Sequence, residues 1–157
     1  MVRAVLICIA AGLMLAVSAA ATAQQLSFGS AADAKAMLER AVVAVKSDKS
    51  KALEMFNKGE GGFLDRDLYP YCFNISDGKN VATQAKNVLG TDVRTLKDRT
   101  GRSYGQEIYD AAKEGVISEV TYMWPRPGPD PTPVTKVSFI TRVGDLGCAV
   151  GYYSQTN

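Results

Sequence analysis

The chain contains no histidine. That absence excludes His-ligated zinc or haem and removes the commonest general base, so most hydrolytic mechanisms would have to run on a carboxylate or a lysine. Cysteine is nearly as scarce, with Cys8, Cys72 and Cys148 the three present. Neither charge sign is in excess, at 18 basic against 16 acidic residues, and the two are interspersed. Nothing therefore resembles the electrostatic footprint of a nucleic-acid or anionic-membrane binder. Long apolar runs are also rare. The single one, Ala4 to Val17 behind Arg3, is shorter than the roughly 20 residues a membrane span needs.

That run, followed by Ala21-Thr22-Ala23, has the charged start, apolar centre and small–x–small end of an export leader. The expectation is a signal peptide over 1–23, cut after Ala23, and one domain over 24–157, periplasmic or secreted, with no stable membrane insertion after cleavage. Ile7 before Cys8 argues against a lipid anchor. Cys72 and Cys148 then remain, and an even pair in an oxidising compartment reads first as a disulfide.

Along the mature segment, Ser30 and Asp33 form a capping box ahead of Ala34, Met37, Leu38, Ala41, Val42 and Val45, which recur at helical spacing. Asp48 offers a fresh cap to a second helix that Gly59 stops. Residues 69–75 favour a strand, Asp77-Gly78 a hairpin turn with positive φ at both positions, and residues 80–84 a short polar edge strand. Residues 85–100 read as irregular, anchored by Leu89, Val93 and Leu96, with Asp92, Arg94, Lys97 and Asp98 as salt-bridged surface. Ser103 with Gln106 suggests another capping box and helix. Val116 to Trp124 alternates, placing Val116, Val120, Tyr122 and Trp124 on one face. Five prolines between Pro125 and Pro133 make a long connection, and residues 134–143 and 148–153 complete the strands.

The order of these features, including Gly90 to Asp98, Gly101, Tyr122 to Pro125, Lys136 to Phe139 and Gly151 to Tyr153, resembles single Cache domains of the second type. The resemblance implies an α+β fold. It consists of a PAS-like five-stranded antiparallel sheet, a long N-terminal helix on one face, and a small helix and loop layer over a ligand pocket on the other. Its strand order makes Cys72 and Cys148 neighbours. It also implies an extracytoplasmic sensor, often for small organic acids. With no output domain after Asn157, a separate, membrane-bound signalling partner would carry the signal.

The candidate ligand residues are Tyr71, Phe73, Tyr104, Tyr122, Trp124, Arg126, Lys136 and Ser138. Lys136 and Ser138 share a strand face, as do Tyr122 and Trp124. If those faces coincide, a cation and a hydroxyl stand beside an aromatic wall, which suits a small carboxylate. Tyr71 and Phe73 alternate with Cys72, on a face the sequence leaves open. Tyr104 would lean over the site, and Arg126 would serve as a lid cation. No cofactor, metal or catalytic residue is implied. Asp65 or Asp67 could act as acid or base, but no nucleophile–base–orienter set accompanies them, so an enzyme is not expected. The competing reading is a protein-interaction or structural module whose pocket is filled by side chains.

Overall fold

The computed structural model describes residues 28–154. The expected leader peptide lies outside the described residues. Helix α1 (Ala31–Ser47) begins at the expected box: Ser30 accepts from the Asp33 N–H, and Asp33 accepts from the Ser30 N–H. Its apolar stripe, Ala34, Met37, Leu38, Ala41 and Val45, is buried. Asp48 closes α1 and caps α2 (Lys49–Lys58), accepting from the Lys51 N–H at 3.0 Å. Gly59, at φ 72°, ends α2 in the left-handed conformation that glycine adopts without penalty. Among the described residues, no helix is long and apolar enough to cross a membrane.

Strands β1 (Pro70–Asn74), β2 (Asn80–Ala82), β3 (Ser118–Pro125), β4 (Pro133–Val143) and β5 (Leu146–Tyr153) form one antiparallel sheet in the order β2-β1-β5-β4-β3. The short β2 is an edge, as its polarity suggested. Helix α3 (Gly105–Ala111) and two 3-10 turns, Lys86–Val88 and Val93–Thr95, cover the opposite side from α1. This is the PAS-like arrangement expected.

Period-two alternation separates two cores. Cys72, Phe139, Val143, Leu146, Cys148 and Val150 pack with α1 and α2. Phe73, Val120, Tyr122, Ile140 and Ala149 pack beneath α3 with Tyr104 and Ile108. Cys72 and Cys148 stand directly opposite on β1 and β5, with Cα atoms 4.1 Å apart, and are joined in a fully buried disulfide. Such a bond fits an oxidising compartment.

Five local expectations are corrected. Ser103 caps nothing: it bridges to Lys97, and α3 starts from Tyr104, with the Tyr104 and Gly105 N–H groups both donating to the Leu96 carbonyl. A backbone acceptor thus does the work assigned to the serine, while Gln106 bonds Asp110. The Asp77-Gly78 turn has positive φ only at Gly78, because the loop spans 75–78 and closes through Asn74 N–H to the Lys79 carbonyl. Leu89 is exposed at the tip of the first 3-10 turn, and Val116 precedes β3 in the solvent. Asp92 does pair with Arg94, at 2.6 Å. Asp98 is buried instead, accepting from the N–H groups of Thr100, Arg102 and Met123.

Candidate functional site

The register of the last three strands builds the site. Tyr122 on β3 lies opposite Lys136 on β4, and Lys136 lies opposite Tyr153 on β5. One row below, Val120, Ser138 and Gly151 align. The two faces singled out from the sequence therefore coincide, on the side away from α1. Gly151 is what leaves room there: a Cβ on it would sit 2.6 Å from Lys136 Cε and 2.7 Å from Ser138 Oγ.

Lys136 is 3 % exposed. Among the described residues no carboxylate lies within ion-pair distance of its ammonium, and no hydrogen-bond acceptor engages it. Its neighbours are aromatic faces, with Nζ 5.0 Å from the Tyr69 ring centroid and 4.7 Å from that of Tyr153. Burial pushes its pKa down from 10.5 to about 8, partly offset by the field of Asp67.

Around this cation the polar groups lining the cavity are neutral, most of them hydroxyls. Tyr122 Oη and Ser138 Oγ bond at 3.0 Å. The Tyr71 hydroxyl lies beside both but has no aligned partner of its own. Burial raises the Tyr69, Tyr71, Tyr104, Tyr122 and Tyr153 hydroxyls above the usual phenol range, so they stay protonated at neutral pH. Tyr104 stacks on Tyr122 with centroids 4.1 Å apart, and Trp124 meets both edge-on at 6.3 and 6.4 Å.

These side chains enclose a cavity of about 30 Å³ that Lys136, Tyr69, Tyr71, Asn80, Thr83 and Trp124 help to line. At about 10–15 Å³ per water-sized group, it holds two or three such groups. An outer cleft of about 490 Å³ adjoins it across Tyr69, Ala85 and Trp124. Arg66, Asp67, Arg99, Arg126 and Tyr153 line that cleft.

Of the residues singled out from the sequence, Tyr71, Tyr104, Tyr122, Trp124 and Lys136 meet at the inner cavity. Ser138 lies just behind, bonded to Tyr122. Phe73 shares the face but packs under Gly147 and against Tyr109 rather than on the cavity. Arg126 lies on the outer cleft, its guanidinium 4.4 Å from the Phe28 ring centroid and 5.6 Å from that of Tyr153. Sequence reasoning missed Tyr69 and Tyr153, and it named Asp67 only as a possible acid or base, not as a ligand residue. Tyr153 could have been found by continuing the alternation of β5 from Gly151. Asp67 carried no such signal, because an irregular turn aims it. Arg66, at φ 57°, is held there by Asp65, Asp33 and the Phe28 carbonyl.

A search of curated proteins gives no match to this chain. Solved structures resemble it in fold. A methyl-accepting chemotaxis protein from Vibrio parahaemolyticus RIMD 2210633 superposes with TM-score 0.62 at 22% identity, over 78% of this chain and 86% of that one. The periplasmic sensor domain of a chemotaxis protein gives 0.57 at 21% identity, over 77% and 88%. A Cache chemosensory domain described for carboxylic acid recognition gives 0.55 at 20% identity, over 77% and 86%. The Cache domain family model matches residues 43–157. On that match the chain belongs to the Cache domain family, whose members are sensory, ligand-binding domains.

Proposed function

We propose that this chain is an exported, periplasmic sensor or solute-binding component, folded as one domain over 24–157 once a leader over 1–23 is removed. Its ligand is a small organic carboxylate, and a membrane-bound partner reads the bound state. The observation that carries this reading is Lys136: a buried cation with no ion-pair partner among the described residues, at a cavity lined largely by neutral hydroxyls. An uncompensated buried charge costs several kcal/mol, and an arriving carboxylate offsets that cost. The hydroxyls supply further donors to its oxygens, and the tyrosine and tryptophan rings keep water out. The resemblance in fold to a domain described for carboxylic acid recognition agrees with this choice of ligand.

One observation favours the rival reading, an interaction module with a filled pocket. The stacked Tyr104–Tyr122 pair and Trp124 occupy most of the space beneath α3, leaving about 30 Å³. A thermal-shift titration with acetate, the smallest carboxylate that carries a methyl group, separates the two. Under the sensor reading the melting temperature climbs with ligand concentration as RT ln(1 + [L]/Kd), and chloride at equal ionic strength gives no such rise. A flat acetate response favours the filled pocket.

A further inference from the structure

Two buried groups of opposite charge lie on either side of the junction between the inner cavity and the outer cleft, Lys136 lining the first and Asp67 the second. Asp67 is 3 % exposed; its Oδ1 accepts from the Gly29 N–H at 2.6 Å, but its Oδ2 is buried without a partner among the described residues. Lys136 is equally buried on the inner side and also lacks a partner among the described residues. The two do not pair with each other, although Tyr69 borders both compartments and its ring lies against the ammonium. A third atom, Arg126 Nε, is buried on the same cleft without an acceptor among the described residues. Native proteins rarely leave buried charged atoms unsatisfied, and each such atom asks for the group that completes it.

We infer that the ligand spans this junction and is a short hydroxycarboxylate, its carboxylate received by Lys136 and its hydroxyl donating to Asp67 Oδ2. This assignment rests on the carboxylate reading above and adds the second recognition element. Charge balance selects hydroxyl over ammonium as the donor. Arg66 on the cleft is already paired with Asp33 and Asp65, and Arg99 is exposed. The remaining groups, Lys136, Asp67 and Arg126, together carry one more positive than negative charge, so a monoanion neutralises the junction. A zwitterion leaves the excess buried, which is costly in a low-dielectric site. A plain carboxylate satisfies Lys136 but leaves Oδ2 orphaned. A site built to hydrogen-bond a hydroxyl discriminates strongly against a ligand that lacks one.

Propionate, glycolate and glycine test this, because they share a carboxylate and differ in a methyl, a hydroxyl or an ammonium of similar size. Calorimetric titration of the full mature chain should show glycolate binding at least tenfold more tightly than either of the others. Asp67→Asn keeps an oxygen for the Gly29 N–H while replacing Oδ2 with a donor. It should lower glycolate affinity to that of propionate and leave propionate within twofold, with the melting temperature checked in parallel. Equal affinity of the native chain for glycolate and propionate overturns the inference while leaving the carboxylate reading intact. Glycine as the tightest ligand overturns the charge-balance step and with it the ligand class. Binding of none of the three overturns both readings together.

Discussion

At the scale of single residues, Lys136 carries an internal conflict between stability and recognition. A pKa lowered from 10.5 to about 8 corresponds to about 3 kcal/mol by which burial disfavours the charged form at neutral pH. Replacing it by methionine, similar in length and apolar, should therefore raise the stability of the unliganded protein by about 1–3 kcal/mol and abolish the acetate response. Urea unfolding measures the first effect and thermal shift the second; a destabilised Met variant would contradict the assignment of Lys136 as an unpaired buried charge. The sign of the pH dependence follows from linkage. Between about pH 8 and 10.5 the unfolded chain binds more protons at this residue than the folded one, so unliganded stability rises with pH from about 8 until the tyrosines begin to titrate. It turns down once the tyrosines of the unfolded chain ionise near pH 10, because their folded counterparts stay protonated. Carboxylate affinity should run the other way, level below about pH 8 and falling about tenfold per pH unit above it. Calorimetry at pH 6, 7, 8 and 9 reads this directly, and an affinity that does not change up to pH 9 would remove Lys136 from the site. Lys136 could be singled out in the sequence because a lysine in an alternating strand, two residues from a serine, is assigned a face by periodicity alone. The sequence marks Asp67 only as a possible acid or base, since the direction of its side chain depends on the turn around Arg66.

At the scale of elements, alternation along β3, β4 and β5 made the shared face of Tyr122, Trp124, Lys136 and Ser138 readable, and the capping residues made the ends of α1 and α2 readable. What stayed hidden was set by contacts distant in sequence. α3 starts where the Leu96 carbonyl offers two acceptor sites, and the length of the loop at 75–78 is fixed by the Asn74–Lys79 backbone bond. Nor does strand periodicity reveal how much of a pocket is filled. That depends on Tyr104 reaching from the start of α3 onto Tyr122, a contact between elements. Gly151 carries no side chain on this strand face, and the space it leaves is taken by the Lys136 stem and the Ser138 hydroxyl. Gly151→Ala should therefore push the lysine stem into the cavity, costing about 1–3 kcal/mol of stability by overpacking and suppressing the acetate response. A Gly151→Ala protein that still answered to acetate like the parent would place the ligand elsewhere, with the outer cleft as the next candidate.

At the scale of the whole molecule, the site is assembled from chain segments that α1 and the disulfide hold in register. β1 and β5, the first and last strands in the sequence, lie side by side at the centre of the sheet, and Cys72–Cys148 joins them across 76 residues. Closing a loop of that length is worth about 4 kcal/mol in the chain-entropy model. Both sulfurs belong to fully buried residues in the core under α1, on the face opposite Lys136. The bond thus stabilises the floor of the pocket without touching what binds there. The Cys72→Ala/Cys148→Ala double variant should lose about 2–5 kcal/mol in urea unfolding. Well below its new midpoint it should bind acetate with affinity within a fewfold of the parent, because the pocket face keeps its register through the β4–β5 and β3–β4 ladders. A variant that stays folded but loses acetate binding entirely would mean that the two faces of the sheet are mechanically coupled. The bond would then act on the site itself, and reduction would become a means of controlling it.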